Sequence, residues 1–167
     1  FNYYDHYKKH EEFEEASPDL VDAILQECAK FSENELLPLY QSGDKECCTF
    51  DNGKVITPKG FKEAYQQYID GGWSSLSHSL EHGGQGLPPS LGMVQSEMTG
   101  TANWSWAMYP GLSHGAMNTI TTHGNEKQKE LYLSRLIQGT WTGTMCLTEP
   151  QCGTDLGQVT TKAEPNG

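Results

Sequence analysis

Four stretches of this chain carry residue types at spacings that could do chemistry. His78-Ser79-Leu80-Glu81-His82 has the form H-x-x-E-H, in which two imidazoles on one helical face hold zinc while the glutamate activates water. Gly83-Gly84 follow at once and leave little helix to keep both rings in register, so we read a loop carrying two solvated or hydrogen-bonded histidines. A zinc metallopeptidase is the lesser alternative, and no metal ligand set is assigned. Gly111-Leu112-Ser113-His114-Gly115 has the G-x-S-x-G form of a nucleophilic serine elbow. That chemistry needs an acid and then a histidine downstream, but the last histidine, His123, precedes Asp155. Close helix packing through small residues is the better reading, with a hydrolase as an outside one. Gly83-Gly84-Gln85-Gly86 could cradle a phosphate only with a helix start directly behind it and, usually, a lysine. The next lysine is Lys127, so this too reads as a structural loop.

The fourth stretch is Cys146-Leu147-Thr148-Glu149-Pro150-Gln151-Cys152-Gly153-Thr154-Asp155-Leu156-Gly157. It reads as a strand ending in a hydroxyl residue, a sharp turn at proline, and a Gly-Thr pair where bare N–H groups and a hydroxyl can approach a ligand closely. Such a turn suits the polar edge of a planar cofactor and a phosphate.

The scaffold for these groups has 167 residues, 35% of them hydrophobic, which is enough to bury a core. With 22 acidic against 11 basic residues the formal net charge is −11, which argues against a nucleic-acid face or an anionic-membrane face. No apolar run approaches the ~20 residues that span a bilayer, and no basic segment followed by an apolar one opens the chain. Five cysteines, Cys28, Cys47, Cys48, Cys146 and Cys152, form an odd set without a C-x-x-C pair and read as reduced thiols.

Residues 1–16 are polar and acidic and read as an extension, either a mobile arm or packed on the core. Ser17-Pro18 supplies an N-cap and a first-turn proline, and Val21, Ile24, Leu25, Cys28 and Phe31 follow at helical spacing towards Pro38. Residues 42–56 carry turn signals and read as a loop holding a small hairpin. A helix from Thr57-Pro58 to Gly71-Gly72, a defined loop over 73–90, and two buried helices near 89–101 and 103–122 come next. Asn125 and Gln128 form a capping-box pattern that opens a further helix ending at Gly139. Thereafter Thr140–Thr148 and Gln158–Glu164 have strand composition, and Asn166-Gly167 is a hairpin-turn dipeptide. The expected class is mainly α: an all-α domain over 17–139 of about five helices, then the incomplete start of a β domain over 140–167. The chain is read as the N-terminal portion of a longer protein.

The strand-turn sequence Leu147-Thr148-Glu149-Pro150 followed by Gly153-Thr154-Asp155 resembles the signature of acyl-CoA dehydrogenases, with Thr154 in place of the usual serine. Trp73 through Leu87, with Glu81, Gly83, Gly84 and Gly86, resembles that family's glycine loop. His123 through Leu133 resembles the helix before its β domain, and Thr161-Lys162-Ala163-Glu164 its next strand. Order and spacing agree over about residues 60–167. The extension and the Cys152-Gly153-Thr154-Asp155 variant resemble the subgroup that includes 3-methylmercaptopropionyl-CoA dehydrogenase.

The resemblance implies FAD, an acyl-CoA substrate, α-proton abstraction by a carboxylate, hydride transfer to flavin, and electron delivery to an electron-transferring flavoprotein. It also implies a homodimer or homotetramer in the bacterial cytoplasm or, in a eukaryote, the mitochondrial matrix. Met145, Leu147 and Thr148 would lie along the flavin, and Gly153 and Thr154 near the pyrophosphate and substrate. Trp106, Met108 and Tyr109 are candidates for the acyl pocket, with core packing as their other reading. No catalytic base is expected within these residues, Glu149 included, and this segment alone is expected to be inactive. A redox-inactive binding protein on the same scaffold is the alternative from another class.

Overall fold

The computed structural model describes residues 2–166. Seven helices are present among them: α1 (Tyr3–Tyr7), α2 (Pro18–Phe31), α3 (Leu39–Glu46), α4 (Phe61–Asp70), α5 (Pro89–Ala102), α6 (Trp104–His123) and α7 (Glu126–Ile137), with a short antiparallel pair, β1 (Thr49–Asp51) and β2 (Lys54–Ile56), between α3 and α4. The polar extension is packed. Tyr7 and Ala16 are buried, and the Tyr7 hydroxyl lies 2.6 Å from Ser90 Oγ on α5.

Local chemistry sets the boundaries. Ser17 Oγ accepts from Leu20 N–H at 3.3 Å to start α2, with Pro18 in the first turn. A π-turn over Ser32–Leu36 swings the chain so that Leu36 is sealed in the core. Residues 42–46, expected as loop, instead complete α3. The reason is tertiary: Gly43 lies so close to the Phe61 ring that a Cβ there would sit 2.6 Å from it, so the glycine serves a close contact and does not break the helix. The hairpin that follows turns on Asn52 (φ 49°) and Gly53 (φ 80°), the paired left-handed residues a two-residue turn demands. The next helix begins at Phe61, three residues after the proline expected to open it, behind Gly60.

Asn103 pins the centre of the bundle. Fully buried, it accepts from Trp106 N–H (3.1 Å) to cap α6 and donates through Nδ2 to the Leu36 carbonyl (3.2 Å). Around it Leu36, Phe61, Ala64, Tyr68, Ala102 and Trp106 form the main core, and the indole N–H of Trp106 donates to the Phe61 carbonyl at 3.1 Å. Smaller clusters join α1, α2 and α5 (Tyr7, Val21, Leu91) and α6 with α7 (Met117, Leu133, Leu136, Ile137). The capping box of α7 forms as read: Gln128 N–H donates to Asn125 Oδ1, and Asn125 N–H to Gln128 Oε1.

Two expectations are corrected. Helices α5 and α6 are buried on one side only, since Met93 is 73% exposed and Trp104 66%. The strands expected at 140–148 and 158–164 do not pair among the described residues; after Gly139 the one ladder contact among those residues is an isolated bridge between Glu149 and Cys152. Extended backbone becomes a strand only beside a partner, and none lies along it here. The turn expected at Asn166-Gly167 reaches outside the described residues.

Candidate functional site

After Gly139 the chain runs back along α6 and is tied to it at one point. Gly143 N–H donates to Ser113 Oγ at 3.1 Å, while the Ser113 hydroxyl donates to the Tyr109 carbonyl at 3.2 Å. A Cβ on Gly143 would meet the Ala116 Cβ at 2.5 Å, so glycine permits the close approach. Beyond this seat the chain stands away from the bundle. Met145 is 66% exposed and Leu147 40%, and Thr148, Gly153 and Thr154 are also exposed. The backbone N–H groups of Met145, Leu147, Thr148, Gly153 and Thr154 donate to nothing among the described residues.

Glu149 organises the turn. Its carboxylate accepts from Thr160 N–H (3.0 Å), Thr160 Oγ1 (2.8 Å), Thr161 N–H (2.8 Å) and the Gln151 side-chain amide. Hydrogen bonds from Thr161 and Thr160 hold its pKa well below the usual carboxylate range. Asp155 caps the next turn, accepting from Gly157 N–H at 3.2 Å. The Glu149–Cys152 bridge folds the turn back so that a Cβ at Gly153 would lie 4.0 Å from Thr148 Cγ2. Thr148 and Gly153 are thus brought together, next to a row of unspent N–H donors and exposed apolar side chains. That surface matches a ligand with a flat apolar face and a polar edge.

The three candidates on α6 separate. Trp106 has no exposed surface and belongs to the core, so it can shape a pocket from behind but cannot touch a ligand. Its indole packs against the rings of Phe31 and Tyr68, which is why the core takes it. Met108 and Tyr109 keep exposed surface, and Met108 lines a cavity of about 300 Å³ between α5, α6 and the loop after α4. Also on its wall are Ser77, His78, Gln95, Ser113 and His114.

Two of the three other motifs contribute residues to this wall, and the glycine loop does not. His78 and His82 do not share a helical face, because only Leu80–His82 forms a single 3₁₀ turn. His78 instead meets His114 across the cavity, Nε2 to Nδ1, at 3.2 Å. Burial, with repulsion from His114 second, lowers the His78 pKa to about 4, and burial lowers that of His114 as well. Ser113 sits within a continuous helix and not on a strand-to-helix elbow. The glycine loop spends its N–H groups internally: Gly84 on Ser79, Gln85 on Ser75, Gly86 on His78, Leu87 on Leu76. Sequence reasoning missed the histidine pair, because each ring was read within its own short motif and their contact spans 36 residues.

A family model described as "Acyl-CoA dehydrogenase, N-terminal domain" matches residues 19–140. The chain belongs to the acyl-CoA dehydrogenase family. It is 42% identical over 153 residues to 3-methylmercaptopropionyl-CoA dehydrogenase of Ruegeria pomeroyi, covering 92% of this chain and 26% of that protein. The chain therefore spans about a quarter of that relative's length. Its fold is shared with butyryl-CoA dehydrogenase from Megasphaera elsdenii (TM-score 0.70, 23% identity, 87% of this chain and 36% of that one). It also resembles an acyl-CoA dehydrogenase from Bacillus anthracis solved with FAD (TM-score 0.66, 25% identity, 87% and 23%). For an acyl-CoA dehydrogenase helical domain, neither the metallopeptidase nor the hydrolase reading retains support. No helix among the described residues is long and apolar enough to cross a membrane.

Proposed function

We propose that this chain is the N-terminal part of an FAD-dependent acyl-CoA dehydrogenase that introduces an α,β double bond into an acyl-CoA thioester. The observation that carries the reading is the surface at 145–154, where Met145 and Leu147 expose apolar area beside N–H groups with no partner among the described residues. These residues fit a flavin: apolar side chains against a ring face, and backbone donors with the Thr148 hydroxyl at a polar edge. When bound, FAD supplies a two-electron acceptor for hydride from the substrate's β carbon.

The work of this chain is to bind and orient. Met145, Leu147 and Thr148 hold the ring. Gly153 and Thr154 approach the pyrophosphate with backbone N–H groups, and Thr154 also reaches the substrate. Met108 and Tyr109 wall the acyl group, backed by the buried Trp106. Glu149 does not serve as base, because four donors occupy its carboxylate and the hydrogen bonds from Thr161 and Thr160 hold its pKa low. The α proton is taken by a carboxylate outside these residues, so this segment alone does not turn over.

The boundary between an all-α domain (17–139) and a β domain is supported by the family match ending at 140 and by the loss of helix after Gly139. The same reading assigns an electron-transferring flavoprotein as acceptor, a homodimer or homotetramer, and a cytoplasmic or mitochondrial-matrix location. The test is incubation of the full-length protein with an acyl-CoA and an electron-accepting dye. A product two hydrogens lighter and reduced dye are expected. Bound flavin without any turnover would instead identify a redox-inactive binding protein on this scaffold.

A further inference from the structure

Cys47 and Cys48 are the one pair of neighbouring thiols in the chain. Both are free and exposed, whereas Cys28 and Cys152 are buried, and Cys146, although exposed, has no thiol beside it in sequence. Among the described residues no group of three or more histidine, cysteine or acidic side chains is placed to hold a metal ion, so the pair stands apart from any metal-binding set there. The backbone that carries it is unusual. Cys47 ends α3 with φ 57° and ψ 172°, in the left-handed half of backbone space that favours glycine. A glycine would sit there without strain, yet the position holds a thiol.

The two thiols are held differently. Cys47 Sγ donates its proton to the Asp44 carbonyl at 3.1 Å, in the last turn of α3, where the unpaired carbonyls of the helix end oppose a negative charge on sulfur. Cys48 Sγ lies 3.8 Å from the Tyr109 hydroxyl, a group that can donate to it. Burial, with the Cys48 contact second, raises the Tyr109 pKa, so the phenol keeps its proton when Cys48 gives up its own. The thiolate is the nucleophile in exchange with a disulfide. Cys48 is therefore the sulfur set up to attack, and Cys47, one residue away and held as a thiol, is the sulfur set up to resolve.

We propose that Cys47–Cys48 is a thiol–disulfide exchange site for small organic disulfides, in which Cys48 attacks, Cys47 resolves, and ring closure loosens the acyl wall at Tyr109. The Cys48 thiolate attacks one sulfur of the small disulfide; a mixed disulfide forms and one small thiol leaves with a proton. Cys47 loses its proton and attacks the Cys48 sulfur, forming the Cys47–Cys48 bond and expelling the second small thiol. Two electrons and two protons pass from the protein to the disulfide, which is reduced to two thiols. Once bonded, Cys48 offers Tyr109 neither a thiol nor a thiolate, which leaves the tyrosine ring to its edge-on packing against Phe61, centroids 6.4 Å apart. The link to the acyl wall rests on the function proposed above; the exchange site does not.

The test treats the full-length protein, in its native state, with excess oxidised glutathione and reads the mass of the peptide that carries both cysteines. That peptide is expected to lose two hydrogens and to regain them with dithiothreitol. Cys47→Ser should retain one glutathione on Cys48, and Cys48→Ser should take none on Cys47 over the same exposure. On closure the KM for an acyl-CoA should rise about fivefold, the scale of one hydrogen bond, with kcat changed less, and Tyr109→Phe should abolish the difference between the oxidised and reduced forms. Should a variant fail to fold, the wild-type peptide mass decides alone. A wild-type peptide that keeps both thiols, or that holds glutathione without closing, overturns the exchange site. Closure with the KM unmoved overturns the link to Tyr109. If the ring closes in a protein that holds no flavin and oxidises no acyl-CoA, the function proposed above falls, and the Tyr109 link with it, while the exchange site stands.

Discussion

Glu149 shows how a residue type can mislead and its contacts correct the reading. A carboxylate beside a flavin-shaped surface invites the role of base, but this one is spent holding residues 160 and 161 against the turn. Glu149→Gln should therefore weaken flavin retention, because the amide presents only one accepting oxygen to four donors. It should leave the pH profile of kcat unmoved, which flavin content per protein and steady-state rates would check. His78 yields a second prediction. It binds its proton near pH 4 when folded but near 6.5 when unfolded, so between those values the unfolded chain holds more protons. Its contribution to stability is complete above about pH 6.5 and declines as the pH falls towards 4, by up to about 3 kcal/mol. Urea midpoints at pH 7.5 and 5 should show the fall, and His78→Phe should remove part of it.

At the scale of elements, the decisive contact is the seat of the extended segment on α6. Ser113→Ala removes the acceptor of Gly143 N–H, at a cost of about 1 kcal/mol, and hydrogen exchange should quicken at Gly143. Ser113→Thr keeps the hydroxyl and should exchange like the wild type. The glycine loop is stiffer. A Cβ at Gly84 would come within 2.1 Å of the His78 carbonyl oxygen, so Gly84→Ala should lower the thermal midpoint by an amount equivalent to more than about 2 kcal/mol. Much of this was legible in the residues: Ser17-Pro18 and the Asn125–Gln128 box mark helix starts whose caps are local hydrogen bonds. What was not legible depends on distant partners. Gly43 looks like a turn residue until Phe61 is seen lying on it, and Thr140–Thr148 has strand composition without a strand beside it. In the site, the exposed Leu147-Thr148 and Gly153-Thr154 were readable as a local motif. The burial of Trp106 and the meeting of His78 with His114 were not, since no spacing rule reaches across the bundle.

Across the whole molecule, apolar side chains gather on surfaces that the bundle does not cover. Trp104 and Met108, on the wall of one cavity, and Met145 and Leu147 on the extended segment are all 40% or more exposed, as on surfaces that a further part of the protein covers. The isolated segment is expected to bind a hydrophobic dye and to self-associate in light scattering, while the full-length protein does neither to the same degree. The acidic balance of −11 fits this division, because anionic CoA must then be met by backbone donors and by cations outside these residues. The measurement that bears most directly on the account is the visible spectrum of the full-length protein under anaerobic conditions, before and after addition of an acyl-CoA. A flavin spectrum that bleaches as the thioester is consumed is the predicted result, and a protein that carries no flavin when saturated with FAD would contradict it.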